Sequence, residues 1–350
     1  MDWTQPFTAS YRFMRVDRKT FLETEELRQF TQGGTITRNA DTTTKESGQA
    51  SIVGGLDIGP DLVRVYLDAT GEGGGESVAL GTFIPTVSSR DVDGSISESK
   101  VTLNGILKQV EDADFDAPVS IAAGGKPVSE AAAILRGCGL EVVADDSDYT
   151  LGETWTFGVE QDESDKLSAV NDLLDIAGFS SVTVDEYGTA QLRRYQDPSS
   201  RAVSHEFVEG ASARFLSQMT DERDTSSVAN VVKVIYSTSD ATTIGIARDN
   251  DASSPYSIPS LGREVCKRYE YQDTATQEEA DAKALSLLKT EQAVTRTVTM
   301  KHIFVPGLTI RDAVDVEFPT GGVSGKFAVR TQDIDLGAGC LVETEVRRSE

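Results

Sequence analysis

The chain has 350 residues, more than a single ordinary domain holds, and its 38% apolar content, with 13 Phe, 9 Tyr and 2 Trp, is enough for several small cores. Its 33 Lys and Arg against 57 Asp and Glu give a formal charge of −24, which excludes gripping duplex DNA by counterion release and docking on anionic lipid. No run approaches the roughly 18 consecutive apolar residues of a membrane span. Met1 to Phe30 is dotted with charge and is not a secretory signal, so synthesis in a cytoplasm is expected.

From Tyr11 to about Leu107 the pattern is β. Val63, Val65 and Leu67 alternate with Arg64, Tyr66 and Asp68, which predicts a strand with one buried face. Asp93-Gly94 suits a tight hairpin turn between Phe83–Val92 and Ser95–Leu103, and Gly71–Gly75 reads as a loop tip. Lys19–Phe30 has no clear period and fits either a short helix or an extended loop. Short strands broken by Gly, Pro, Asp and Ser clusters imply a small barrel or sandwich over residues 1–112.

The acidic stretch Glu111–Pro118 marks a boundary, because Pro118 lacks an N–H and discourages a continuing element. Residues 113–200 then read as an α+β module. A helix is expected over Ser129–Arg136 with Ser129 as N-cap, and a second over Lys166–Ala177, capped by Asp165 and stopped by Gly178. Val182 and Val184 face Ala190 and Leu192 across the turn Asp185–Gly188. This region also holds most of the charge: residues 1–105 carry 10 basic and 15 acidic side chains (−5), residues 106–200 carry 6 and 19 (−13), and residues 201–350 carry 17 and 23 (−6).

Residues 201–350 return to β with one inserted helix. Val232, Val234 and Tyr236 alternate, as do Val314, Val316 and Phe318. In Val294–Phe304 the threonines Thr295, Thr297 and Thr299 take one face while Val298, Met300, His302 and Phe304 take the other. The helix is expected over 275–292, with Thr274 and Gln277 as a capping box and Ala280, Ala284, Leu287 and Leu288 as its apolar stripe. The fold class is therefore mainly β with α+β.

No reaction centre emerges. Cys138, Cys266 and Cys340 are widely separated, which argues against a disulfide framework or a thiolate zinc site. Gly125-Lys126 and Gly325-Lys326 lack the first glycine of a phosphate loop, and Gly71–Glu76 matches no dinucleotide fingerprint. His205 beside Glu206 reads as a surface residue of a connector, and His302 as a core or subunit-contact residue with a satisfied ring nitrogen. Asp249-Asn250-Asp251 begins like a calcium loop, but Ser254 and Ser260 stand where glycine and glutamate are needed, so it reads as a solvated turn. Asp145, Asp146 and Asp148 read the same way. The sequence assigns no catalytic, cofactor, metal or binding residue, and the expectation is a protein without enzymatic activity.

Several stretches, in their order, resemble the hub proteins at the distal end of phage tails, a family that extends to the hub part of type VI secretion spikes. They are Arg15-Val16 with Phe21, Gly33–Arg38 and Lys45–Gly48 in the first domain, then Ser257-Ile258, Leu261–Arg263, the helix Thr276–Leu288 and Leu308–Phe318. The resemblance spans nearly the whole chain. It implies two tail-tube-like β-barrel domains with the smaller module between them, and a homotrimer whose six barrels seat on a sixfold tube. It also implies tail-tube or distal tail proteins and tip, spike or fibre proteins as partners, DNA passing through without specific binding, no cofactor, and a place in the virion tail tip. The rival readings are a tail-associated cell-wall hydrolase and a carbohydrate-binding protein. The first lacks a nucleophile, and the second has only Trp3 and Trp155 as its best platforms.

Overall fold

A computed structural model of the chain describes residues 1–93, 96–158, 165–211, 213–224, 228–237, 242–271, 275–292, 295–337 and 339–349. It divides into two compact units, one of Met1–Gln218 with Met300–Glu345 and the other of Met219–Thr299 with Val346–Glu350. The architecture is mainly β with a smaller α+β part, as the periodicities imply.

The first hundred residues form β1 (Phe7–Val16), β2 (Glu23–Glu26), β3 (Thr35–Asn39), β4 (Glu46–Val53), β5 (Leu62–Gly71), β6 (Gly74–Asp93) and β7 (Ile96–Gly105). They pair antiparallel in the order β3-β4-β7-β6-β5-β1-β2. The Gly71–Gly75 tip closes the β5–β6 hairpin, with Gly71 opposite Gly74. The β6–β7 hairpin forms as expected, with Asp93 opposite Ile96; its Gly94 lies outside the described residues. Lys19–Phe30 resolves into a turn followed by the short edge strand β2. Val63, Val65 and Leu67 are fully buried, but the other face of β5 is not simply wet, since Arg64 is also buried. Its guanidinium pairs with Glu23 at 2.9 Å and donates to Thr82 Oγ1 at 2.9 Å and to the Tyr187 carbonyl at 3.2 Å.

The module contains α1 (Lys108–Glu111), β8 (Val119–Ile121), α2 (Pro127–Gly137), β9 (Val142–Ala144), β10 (Trp155–Phe157), α3 (Lys166–Ile176), β11 (Thr183–Val184) and β12 (Ala190–Leu192). The start of α2 corrects the sequence reading. Pro127 opens the helix because its missing N–H is not needed there and its φ is already helical, so Ser129 sits inside the first turn rather than at the cap. For α3 the expected cap holds: Asp165 accepts from Ser168 N at 2.8 Å, and Gly178 follows at φ 72°. Leu135, Leu167, Val170, Leu173 and Leu174 join Val16, Leu62 and Leu107 in one core, so the apolar stripes of the module helices close against the base of the first β region.

The rest of the chain forms β13 (Val203–Val208), β14 (Phe215–Asp224), β15 (Val231–Ser237), β16 (Thr242–Arg248), α4 (Ile258–Leu261), β17 (Cys266–Tyr271), α5 (Gln277–Glu291), β18 (Thr295–Ile303), β19 (Ala313–Phe318), β20 (Val323–Asp335) and β21 (Leu341–Ser349). β20 pairs antiparallel with β3, from Thr331 opposite Asn39 to Asp335 opposite Thr35, and β19 lies between β20 and the parallel strand β13. Ile334, Leu336 and Val342 accordingly share a core with Ile36, Phe83 and Leu103.

In the second unit β16 and β17 flank β15, and α5 lies on this sheet with Ala280, Ala284 and Leu288 buried. The expected stripe is thus correct. Its capping box is two residues later than expected, because Glu279 accepts from Thr276 N at 2.8 Å while Thr276 Oγ1 accepts from Glu279 N at 3.3 Å; Thr274 is outside the described residues. Thr276→Ala should cost about 1 kcal/mol, measured as a lower urea midpoint, whereas Thr276→Ser should keep the cap and most of the stability.

Candidate functional site

The residues weighed for chemistry do not converge. His302 lies on the buried face of β18, where Nδ1 donates to the Ile303 carbonyl and Nε2 accepts from Thr344 Oγ1, both at 2.8 Å. This is the satisfied core histidine that the alternation of β18 implies. His205 is not in a connector: it belongs to β13 and meets Phe207 edge-on at 4.6 Å, while His302 lies 4.8 Å from the same ring. Burial lowers the pKa of both histidines, that of His302 to about 4. Phe207 therefore packs against both imidazoles, and no carboxylate hydrogen-bonds to either among the described residues.

The other candidates have structural roles. Gly125-Lys126 leads into the Pro127 start of α2, and Gly325-Lys326 lies within β20, where Lys326 Nζ donates to the Ser199 carbonyl at 2.8 Å. Asp249 and Asp251 form Asx turns, Asp249 accepting from Asp251 N at 3.0 Å and Asp251 from Ser253 N at 2.8 Å. Among the described residues no group of His, Cys, Asp and Glu is arranged to hold a metal ion. Trp3 packs edge-on against Phe7 at 5.2 Å and donates to Glu76 Oε2 at 3.0 Å, so its ring is not a free platform for a sugar. Asp145 adds to the sequence reading: while still partly exposed, it pairs with Arg193 at 2.8 Å and accepts from Arg194 N at 3.0 Å.

Those two arginines border a cavity of about 470 Å³ within the first unit. The β3–β4 turn supplies Lys45, the module supplies Asp185, Glu186 and Arg193, the segment after the Pro198–Ser200 turn supplies Arg201, and the loop before β19 supplies Arg311 and Asp312. Lys45 and Arg311 have left-handed backbones, at φ 64° and 73°, which is costly for residues with a Cβ. Lys45 Nζ donates to the Ala40 carbonyl at 2.9 Å. Arg311 holds the Ser181 carbonyl at 2.8 Å and its Oγ at 2.6 Å. Arg201 donates to the Gln196 carbonyl at 2.7 Å and to the Arg311 carbonyl. Sequence reasoning missed this site because its members come from distant segments, with no spacing to read.

The second kind of candidate surface is the sheet margin. β6 pairs with β5 only as far as Phe83; from Ile84 to Asp93 its sole described partner is β7, which leaves one edge of that arm open. Val87 and Val92 are exposed along it. At the sheet end β2 presents Glu23, Glu25 and Glu26, charged residues of the kind that guard an edge against indiscriminate strand pairing.

No protein-family model matches the chain, and no curated protein matches it. Solved structures do share its fold. The tail protein of Neisseria meningitidis MC58 matches at a TM-score of 0.67 and 14% identity, covering 97% of this chain and 97% of that one. The 43 kDa tail protein of prophage MuSo2 from Shewanella oneidensis matches at 0.68 and 13% identity, covering 98% and 100%. A Francisella PdpA–VgrG complex matches at 0.58 and 7% identity, covering 98% of this chain and 58% of that one. The fold is therefore that of phage tail proteins, shared with a VgrG-containing assembly. This agrees with the resemblance of the sequence to the tail hub family.

Proposed function

We propose that the chain is a structural protein of a phage tail: the hub that joins the end of the tail tube to the tip complex, works as a homotrimer and forms part of the DNA exit channel. The observation that carries this reading is the end-to-end correspondence with two tail proteins, which match 97% and 98% of this chain and are themselves covered over 97% and 100% of their lengths. These 350 residues are thus taken up by the tail-protein fold. The function follows as assembly by binding, through sheet edges and loops, without covalent chemistry.

In this reading residues 1–112 and 201–350 each supply a tube-like barrel, the module of residues 113–200 stands between them in the chain, and three copies present six barrels to a sixfold tube. The partners are a tail-tube or distal tail protein on one side and tip, spike or fibre proteins on the other. The protein is placed in the virion tail after assembly in the host cytoplasm. Carboxylates repel phosphate, so acids on the channel wall would let a duplex pass without being held. Light scattering on the purified chain should give three times the monomer mass. A stable monomer that joins neither tube nor tip proteins would overturn the proposal, and a cryo-EM map with no more acids facing the channel than the exterior would remove the role of charge in it.

A further inference from the structure

We propose that the cavity bordered by the β3–β4 turn, the module and the loop before β19 binds a phosphate-class oxyanion through Lys45, Arg201 and Arg311. Three strong donors from distant parts of the chain face one space, and none of them forms an ion pair among the described residues. Neutral carbonyl and hydroxyl oxygens hold them instead. Asp312 and Asp197 act on Arg201 through space, without an ion-pair contact.

The acids in the wall are already engaged. Asp145 pairs with Arg193 at 2.8 Å, and Asp185 accepts from Tyr187 N at 3.0 Å and Thr189 N at 2.9 Å. Glu186 and Glu46 both turn to Arg38, at 3.4 and 3.7 Å. Asp312 accepts from Thr309 N at 2.8 Å. One oxygen of Glu46 has no partner; burial pushes this carboxyl up to about 7, and when protonated it is a donor to an oxyanion rather than a repulsive charge.

The cations also disfavour one another. Burial, together with Arg311, lowers the pKa of Lys45 to about 8, and burial, together with Arg201, lowers that of Arg311. A bound oxyanion would relieve both penalties at once. Beyond the bonds above, Arg201 keeps two N–H groups and Arg311 three for an anion, and the lysine adds a compact charge. The cavity has room for such an ion with part of its water shell.

The test is titration calorimetry of the full-length chain with inorganic phosphate and with pyrophosphate, against chloride at equal ionic strength. Saturable binding of either anion, weakened at least tenfold by Arg201→Gln and by Lys45→Met, is expected, while Lys267→Gln in the second unit should leave it unchanged. Thermal unfolding without added anion shows whether each variant is folded. Arg201 is partly exposed, so its variant serves even if the Lys45 variant fails to fold. Heats no larger than those of chloride, or affinity unchanged in the folded variants, would overturn the proposal.

Discussion

Gly245→Ala should strongly destabilise the second unit, by about 3 kcal/mol or more, because the added carbon has nowhere to go. A Cβ built on Gly245 would lie 2.1 Å from the Ala280 carbonyl oxygen and 2.7 Å from Asp281 N, which are rigid helix backbone and not side-chain tips that can swing aside. The close approach follows from the sequence on both sides. The helix presents Ala280 and Ala284 and the strand presents Gly245, so backbone meets backbone with small side chains between. Gln277 Nε2 donating to the Ile244 carbonyl at 2.9 Å and Ile246 N donating to Asp281 Oδ1 at 3.3 Å fix the register of α5 on β16. A helix lifted by even one ångström loses these bonds and opens the core around Val232, Val234 and Leu288. Urea unfolding checks this, and a variant with an unchanged midpoint would mean that α5 does not sit on β16 in this way.

Acid should unfold the first unit partly through His302. Burial is the chief cause of its low pKa, about 4 against 6.5, with His205 adding to it and the bond to the Ile303 carbonyl opposing it. Above pH 6.5 the ring is neutral in the folded and unfolded chains and the native state bears no penalty. Between 6.5 and about 4 the unfolded chain takes up a proton that the folded chain refuses, so stability falls as pH falls. The full loss is about 3 kcal/mol at 1.36 kcal/mol per pH unit. Protonation would also force Nε2 to stop accepting from Thr344 Oγ1. Unfolding free energies at pH 7 and pH 4 should therefore differ by about 3 kcal/mol less in His302→Gln than in the native chain. Equal pH dependence in the two proteins would assign the acid sensitivity to other groups.

Much of the local structure was legible in the sequence. The buried face of β18, the Asp165 cap and the apolar stripe of α5 each depend on side chains within one or two turns or on a simple alternation, and the backbone enforces such periods wherever the segment ends up. The errors are also local in origin. Ser129 is an acceptable cap by type, yet Pro127 two residues earlier already fits the first helical position; Thr276 and Glu279 form the capping box that Thr274 and Gln277 were expected to form. Arg64 misled for a different reason. It looks like a solvated residue of its own element but is covered by a segment far away in the chain, as Asp145 is paired by one.

By itself the sequence determined the charge, the kinds of element and their order, and the faces they bury. The tertiary structure alone decided that β20 lies beside β3, that the Asp185–Gly188 turn caps Arg64 and Thr82, and that Lys45, Arg201 and Arg311 border one cavity. Periodicity is a property of a few neighbouring residues. Which strand meets which edge is settled by competition between distant segments, where closing a longer loop costs little extra and so leaves almost no trace in the spacing.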